Sequence, residues 1–340
     1  MKPDLNKFAE VSIENLEHFL TDENYPEFVK YLSDLAEGGD FEAAEKLFNA
    51  YFWGDAHTDE DQPKALALLS SFAEKNQSAP AARLLAEHYR LYVDEEGSDQ
   101  RAVHWLQIAR SLKDGESAYE LGRAHYLGSL GLDEDEDVAA QYLEDSIDYG
   151  CDKAYSLLAK IYLKSEDEAK SNRGKERLTV GAKSGNAECQ FELAIYYLTG
   201  EYFKKDARLG ISWLFKASEQ EYVDALIKLG GLYLAGDELD KDPYEGFRCF
   251  EKAARKHSKI SQARLSSLYL LGVGVEKNLT LAHAWIRISE LNMGQRGPAN
   301  MSFTGEILSS NVLTEAQRKH SDSFVADFIK DSTWRYRLRD

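Results

Sequence analysis

The most constraining feature of the sequence is an internal repeat. A leucine followed four residues later by an aromatic residue recurs seven times, in steps of 35 to 38 residues. The leucines are Leu47, Leu85, Leu121, Leu158, Leu193, Leu229 and Leu265, and the aromatic residues are Tyr51, Tyr89, His125, Tyr162, Tyr197, Tyr233 and Tyr269. Such a period predicts an array of one small structural unit rather than a set of independent globular domains.

Each unit is predicted to be a helix, a turn and a second helix. In the stretch 222–257, Ala225, Leu229 and Tyr233 fall on one helical face, and Gly236 is expected to end that helix. Asp242, which precedes a proline, is expected to start the next helix. Small residues recur in the second helices and predict close helix packing: Ala65, Ala102, Ala139, Gly174, Gly210, Gly246 and Ala282.

Composition and charge narrow the classes of function. Hydrophobic residues at 43% and charged residues at 29% are typical of a folded protein. The net charge of −18 argues against binding to nucleic acid or to an anionic membrane surface. Three cysteines with no close pair, no apolar stretch long enough to span a bilayer and no secretory signal predict a cytoplasmic protein without membrane insertion.

The sequence offers little support for catalysis or metal binding. The acidic run 133–137 resembles a calcium loop, but Val138 stands where such a loop needs glycine, and a solvated turn is the better interpretation. The histidines lack zinc-ligand spacing, and no nucleophile motif occurs. We therefore expect no enzyme activity, no cofactor and no metal.

The phrases LGGLYLAG, ISWLFKAS and LSSLYLLGVGVEKNLTLAHAWI resemble the Sel1-like repeat family, which is related to tetratricopeptide repeats. The resemblance covers about residues 40 to 293 and implies an all-α, right-handed α-solenoid, or superhelix, of about seven helix-turn-helix repeats. The fourth unit departs from the family pattern, with Ser165 at the turn glycine and Arg177 at the usual tryptophan. The predicted repeats are 41–77, 78–115, 116–150, 151–185, 186–221, 222–257 and 258–293.

Capping helices are expected on both sides of the repeats. Residues 1–40 are predicted to form a capping helix pair, with helices at 4–20 and 24–39. Residues 294–340 are predicted to hold capping helices, the last of them at 313–330, and an aromatic and basic tail.

The resemblance also implies a binding surface, because first helices line the concave wall in that family. Carried over residue by residue, this wall is basic and aromatic in the early repeats and apolar in the later ones. Its predicted residues are Arg83, Glu87, Arg90, Tyr119, Arg123, Tyr126, Lys160, Phe191, Ile195, Leu198, Ile227 and Leu234. Two alternatives stay open: the apolar residues could pack within the protein, and Glu87 lies at helical spacing from both Arg83 and Arg90 and could neutralise them.

The function implied is that of a non-catalytic scaffold or adaptor that binds a segment of a partner protein in the concave groove. Bacterial members of the resembled family act as adaptors and regulators. The alternative is an immunity-type or inhibitory protein that binds a basic toxin or enzyme, because the turns between paired helices are acidic and would form a negative edge. The identity of the partner and the oligomeric state stay open.

Overall fold

The computed structural model describes residues 25–54, 59–93, 96–293 and 313–330. These residues form sixteen α-helices and no strand, which confirms the predicted all-α class of repeated helix pairs, an α-solenoid. The predicted helix at 4–20, the residues 294–312 and the tail 331–340 lie outside the described residues. The helices are α1 Tyr25–Glu37, α2 Phe41–Trp53, α3 Gln62–Asn76, α4 Ala79–Leu91, α5 Ser98–Ser111, α6 Gly115–Leu127, α7 Glu136–Asp148, α8 Ala154–Leu163, α9 Glu168–Ser184, α10 Ala187–Thr199, α11 Ala207–Glu219, α12 Val223–Ala235, α13 Pro243–Arg255, α14 Lys259–Leu271, α15 Leu279–Met293 and α16 Glu315–Lys330.

The helix starts and stops follow from local chemistry. Gly236 ends α12 in the left-handed region, with φ 82°, and its N–H donates to the Leu232 carbonyl. Asp242 caps α13 by accepting hydrogen bonds from the backbone N–H groups of Tyr244 and Glu245. Both ends lie where the sequence predicts them, because glycine adopts positive φ at little cost and a carboxylate accepts orphan N–H groups.

A backbone hydrogen bond closes the turn in five of the repeats. The residue that caps the second helix donates its N–H to the carbonyl of the repeated aromatic residue in the first helix. The donor and acceptor pairs are Asp61 and Tyr51, Asp135 and His125, Asp206 and Tyr197, Asp242 and Tyr233, and Asn278 and Tyr269, at 2.6 to 3.0 Å. Each turn is thus held against the end of the helix that precedes it.

The chain divides into two compact units, Met1–Arg177 and Leu178–Asp340. In the first unit the ladder residues Leu47, Leu85, Leu121 and Leu158 are each at most 1% exposed and form the centre of the core. Their burial confirms the helical face that the repeat predicts.

In the second unit the ladder leucines Leu193, Leu229 and Leu265 are buried to the same degree. Val325 in α16 packs with Trp285 of α15 in this core, so the last described helix covers the end of the preceding pair.

The glycines at helix crossings let backbones approach closely. A Cβ added at Gly230 would lie 2.7 Å from Cε2 of Phe250, and one added at Gly210 would lie 2.9 Å from Cγ of Leu198. Both distances are shorter than any ordinary carbon contact. The glycines are therefore required for packing between first and second helices.

The irregular helix pair α8 and α9 adds a polar network to its apolar packing, in which Leu158 and Leu178 are each at most 1% exposed. Glu144 of α7 accepts hydrogen bonds from Arg173 at 3.0 Å and from Tyr162 at 3.1 Å, and it forms an ion pair with Arg177 at 2.7 Å. Arg177, which stands at the usual tryptophan position, is therefore compensated by a carboxylate from the preceding repeat.

None of the helices in the described part of the chain is both long enough and apolar enough to cross a bilayer.

Candidate functional site

The predicted site residues of the first unit lie on its first helices. We refer to Arg83, Glu87, Arg90, Tyr119, Arg123, Tyr126 and Lys160, carried by α4, α6 and α8, as the polar wall. Arg83 and Glu87 are exposed, and the other five are half-buried.

The positive charges of the polar wall are paired with carboxylates from the next repeat. Glu120 of α6 accepts hydrogen bonds from Arg90 of α4 and from Arg123, both at 2.7 Å. The hydrogen bond to Glu120 raises the pKa of the Arg123 guanidinium above its usual value. The wall is consequently close to neutral rather than basic, and the partner of Arg90 is Glu120 and not Glu87.

Arg83 and Lys153 are paired with carboxylates in the same way. The Nε atom of Arg83 lies 3.5 Å from the Asp114 carboxylate, which also caps α6. Lys153, next to α8, donates to Glu116 at 2.8 Å, and this hydrogen bond raises the pKa of the Lys153 ammonium group. Carboxylates of α6 thus bind cations on both sides.

A cavity of about 140 Å³ opens in the polar wall between α4 and α6. Ala86 and Leu106 supply apolar surface to it, and the other lining residues are charged: Arg83, Glu87, Arg90, Glu116 and Glu120. The Nε atom of Arg90 is buried and has no hydrogen-bond partner within the described parts of the chain. The cavity therefore combines an apolar base with charged groups and one unsatisfied donor.

Tyr126 lies at the end of the wall nearest the turn. Its hydroxyl accepts a hydrogen bond from Lys164 at 3.1 Å, and the ammonium group also lies 5.5 Å from the centre of the tyrosine ring. These contacts hold the ring in a fixed orientation between α6 and α8. Tyr119 and Lys160 lie on the same two helices.

In the second unit, the predicted apolar site residues are used mainly for packing. Leu198 is 6% exposed and contacts the helix crossing at Gly210, which leaves little of its surface for a partner. Leu234 packs against Gly246, and Ile227 belongs to the same core cluster. Phe191 contacts the ring of Tyr222. Ile195 is half-buried.

Candidate groups for binding a metal or a substrate include the acidic run, the histidines and the serines. Among the described residues, no group of three or more histidines, cysteines or carboxylates is placed to hold a metal ion. In the acidic run, Asp135 caps α7 by accepting N–H bonds from Asp137 and Val138. Ser321 contacts His283 at 2.9 Å, but the serine is fully buried and inaccessible to a substrate.

The sequence matches a known repeat family over more than half of its length. The Sel1 repeat model matches residues 41–77, 79–114, 115–147, 187–222, 223–258 and 259–289. The chain belongs to the Sel1 repeat family. The six Sel1 repeats leave out the segment of α8 and α9, which has Arg177, paired with Glu144, at the usual tryptophan position.

Solved structures of a Sel1 repeat protein and of yeast Tom70 have a similar fold. The Sel1 repeat protein from Oxalobacter formigenes is 20% identical, with 85% of this chain and 82% of that chain covered and a TM-score of 0.67. Yeast Tom70 is 14% identical, with 92% and 63% covered and a TM-score of 0.52. The immunity protein Pa5087 from Pseudomonas aeruginosa is 17% identical, with 74% and 83% covered and a TM-score of 0.44. No curated protein matches the sequence.

Proposed function

We propose that this Sel1 repeat protein is a non-catalytic scaffold that holds a segment of another protein on its polar wall. The observation that carries the proposal is the cavity between α4 and α6. It offers an apolar base, charged side chains from two repeats and the unsatisfied Nε–H of Arg90. A carbonyl or carboxylate oxygen of a bound segment would satisfy that donor, which is costly to leave buried without an acceptor.

The ion pairs of the wall suit it to recognition. Glu120 binds Arg90 and Arg123, so these side chains are already ordered before a partner arrives. A preformed surface lowers the entropic cost of association. The proposed partner is a peptide segment with both polar and apolar side chains, since the cavity is neither strongly basic nor strongly acidic.

Charge reversal at Arg90 and Arg123 would be a poor test, because it would place two further carboxylates beside Glu120 and weaken the fold. Arg83 and Glu87 are better positions. The ion pair between Arg83 and Asp114 is long, at 3.5 Å, and the Arg83 side chain is 47% exposed. Its loss costs at most about 1 kcal/mol.

The experiment is affinity purification with chemical crosslinking from cells that express the tagged full chain. The variant Arg83→Ala/Glu87→Ala should lose the partners that the wild type captures, while its melting temperature stays the same. The matched control is Gln107→Ala/Gln141→Ala, which changes two exposed residues on the second helices α5 and α7 and should keep the partners. Capture of the same partners by the wall variant would contradict the proposal.

A further inference from the structure

A row of exposed apolar side chains marks the carboxyl ends of the first helices in the first unit. Trp53, Leu91 and Leu127 each stand six residues after a ladder leucine, in α2, α4 and α6. Their exposures are 50%, 53% and 55%, and Tyr92 beside Leu91 is 48% exposed. We refer to these four residues as the apolar row. Exposed apolar side chains that form a contiguous patch are typical of an interaction surface, and the rings of Trp53 and Tyr92 are in contact.

The row does not continue regularly along the chain. The equivalent positions in the next three repeats hold Lys164, directly after α8, Thr199 in α10 and Ala235 in α12. Leu271 in α14 is exposed as well, but the three repeats before it carry no large apolar residue at this position. The apolar row therefore belongs to the first three repeats and is not a general requirement of the fold.

Trp53 is held in place by aromatic neighbours. Its ring packs edge to face against Tyr92, with centroids 4.7 Å apart, and against Phe52 at 4.8 Å. The buried His88 lies 6.2 Å from it. Half of the indole surface nevertheless stays exposed, which makes Trp53 a rigid anchor of the kind enriched in binding hot spots.

Carboxylates border the apolar row on the side of the turns. The turn-closing hydrogen bonds join Asp61 to Tyr51 and Asp135 to His125, two residues before Trp53 and Leu127 respectively. Glu134 lies next to Gly128, because a Cβ added at this glycine would be 3.4 Å from the Cβ of Glu134. Further exposed carboxylates in the same turns are Asp59, Glu60, Asp133 and Glu136.

We propose that the apolar row with its acidic border binds a basic amphipathic segment of a partner protein. The segment presents apolar side chains to Trp53, Leu91, Tyr92 and Leu127, while its flanking lysine or arginine side chains meet the turn carboxylates. Opposite charge at the border sets the orientation of the segment and excludes acidic partners and nucleic acid. A basic side chain would also stack on the exposed face of Trp53.

This inference rests on the proposed scaffold function but uses a different surface, so the two can fail separately. The polar-wall variant Arg83→Ala/Glu87→Ala should keep affinity for a basic amphipathic segment. If instead the wall variant loses its cellular partners and the apolar row binds nothing basic, the scaffold function stands and the present inference is wrong.

The probe is a displayed library of helical peptides with leucines fixed on one face and random residues at the flanks. Peptides are selected on the full wild-type chain and counter-selected on Leu91→Ser/Leu127→Ser, whose two leucines are exposed and make little contribution to the core. Recovered peptides should be enriched in lysine and arginine at the flanks. Enrichment in acidic or neutral residues would overturn the inference, as would equal recovery on the variant.

The affinity of one recovered peptide is then measured by fluorescence anisotropy. Leu91→Ser/Leu127→Ser should weaken binding at least about tenfold, and raising the salt from about 50 to about 300 mM should weaken it further. The control Leu209→Ser/Ile260→Ser removes two exposed apolar residues of the second unit and should leave the affinity unchanged. An affinity that does not change with salt concentration would refute the proposed binding of a basic segment. The same holds if this chain forms a dimer that Leu91→Ser/Leu127→Ser dissociates.

Discussion

Two adjacent glycines of α12 allow the role of close helix packing to be measured within one helix. A Cβ added at Gly230 would lie 2.7 Å from Cε2 of Phe250, whereas one added at Gly231 would meet no atom within 4 Å. Alanine at either position gains up to about 1 kcal/mol of helix propensity. At Gly230 the ring of Phe250 must also move by about 1 Å to reach ordinary contact distance, and such overpacking costs about 1 to 3 kcal/mol.

We therefore expect Gly231→Ala to raise the free energy of unfolding by about 0.5 to 1 kcal/mol, and Gly230→Ala to lower it or leave it near the wild-type value. Because the helix-propensity gain is common to both variants, their difference of about 1 to 3 kcal/mol measures the steric term alone. Urea denaturation followed by circular dichroism gives both values.

A double variant identifies the clashing atom. Replacing Phe250 by Leu removes the ring atoms that the new Cβ would meet, so Gly230→Ala should be less damaging in the Phe250→Leu background. Equal stabilisation by Gly230→Ala and Gly231→Ala would show that α12 and α13 are not packed as closely as described.

Three further predictions concern the core, the irregular helix pair and pH. Leu229 is 1% exposed. Leu229→Ala should therefore lower the free energy of unfolding by about 2 to 5 kcal/mol, measured by urea denaturation. Glu144→Ala should cost about 1 to 3 kcal/mol because it removes three charged or hydroxyl partners, and Glu144→Leu/Arg177→Trp should recover most of the loss in thermal melts. Burial lowers the pKa of His88 below its ordinary 6.5, so the unfolded chain binds the proton more readily. The stability linked to neutral His88 is complete above about pH 6.5 and is lost as the pH falls below it; His88→Gln should flatten the fall in melting temperature over this range.

The repeat register could be predicted because it depends on local spacing. Each ladder leucine is buried where the pattern places it, and Gly236 and Asp242 mark helix ends as expected. Such features depend on the backbone conformation within one helix or one turn, and a single stretch of sequence contains all the information that they require.

Contacts between repeats could not be predicted in the same way. Glu87 has the right spacing to pair with Arg90, yet Arg90 pairs with Glu120, thirty residues further along. That choice depends on the rotation of α4 against α6, which no spacing within either helix determines. The contact of Leu198 with Gly210 is of the same kind, because it joins two different helices.

The exposed position of Trp53 was also missed, although a signal for it exists. It stands six residues after its ladder leucine, as Leu91 and Leu127 do. The signal is a large apolar residue that recurs at one position of the repeat outside the apolar face of the helix.

The hydrogen bonds that close the turns join main-chain atoms, from the N–H of Asp61 or Asp135 to a carbonyl one helix end away. Exposed side chains of these turns, such as those of Asp59 and Glu134, take no part in these bonds. Loops of this kind can diverge in charge and length from one repeat to the next while the hairpin keeps its shape, which makes them suitable positions for evolving or engineering new specificity without rebuilding the helices.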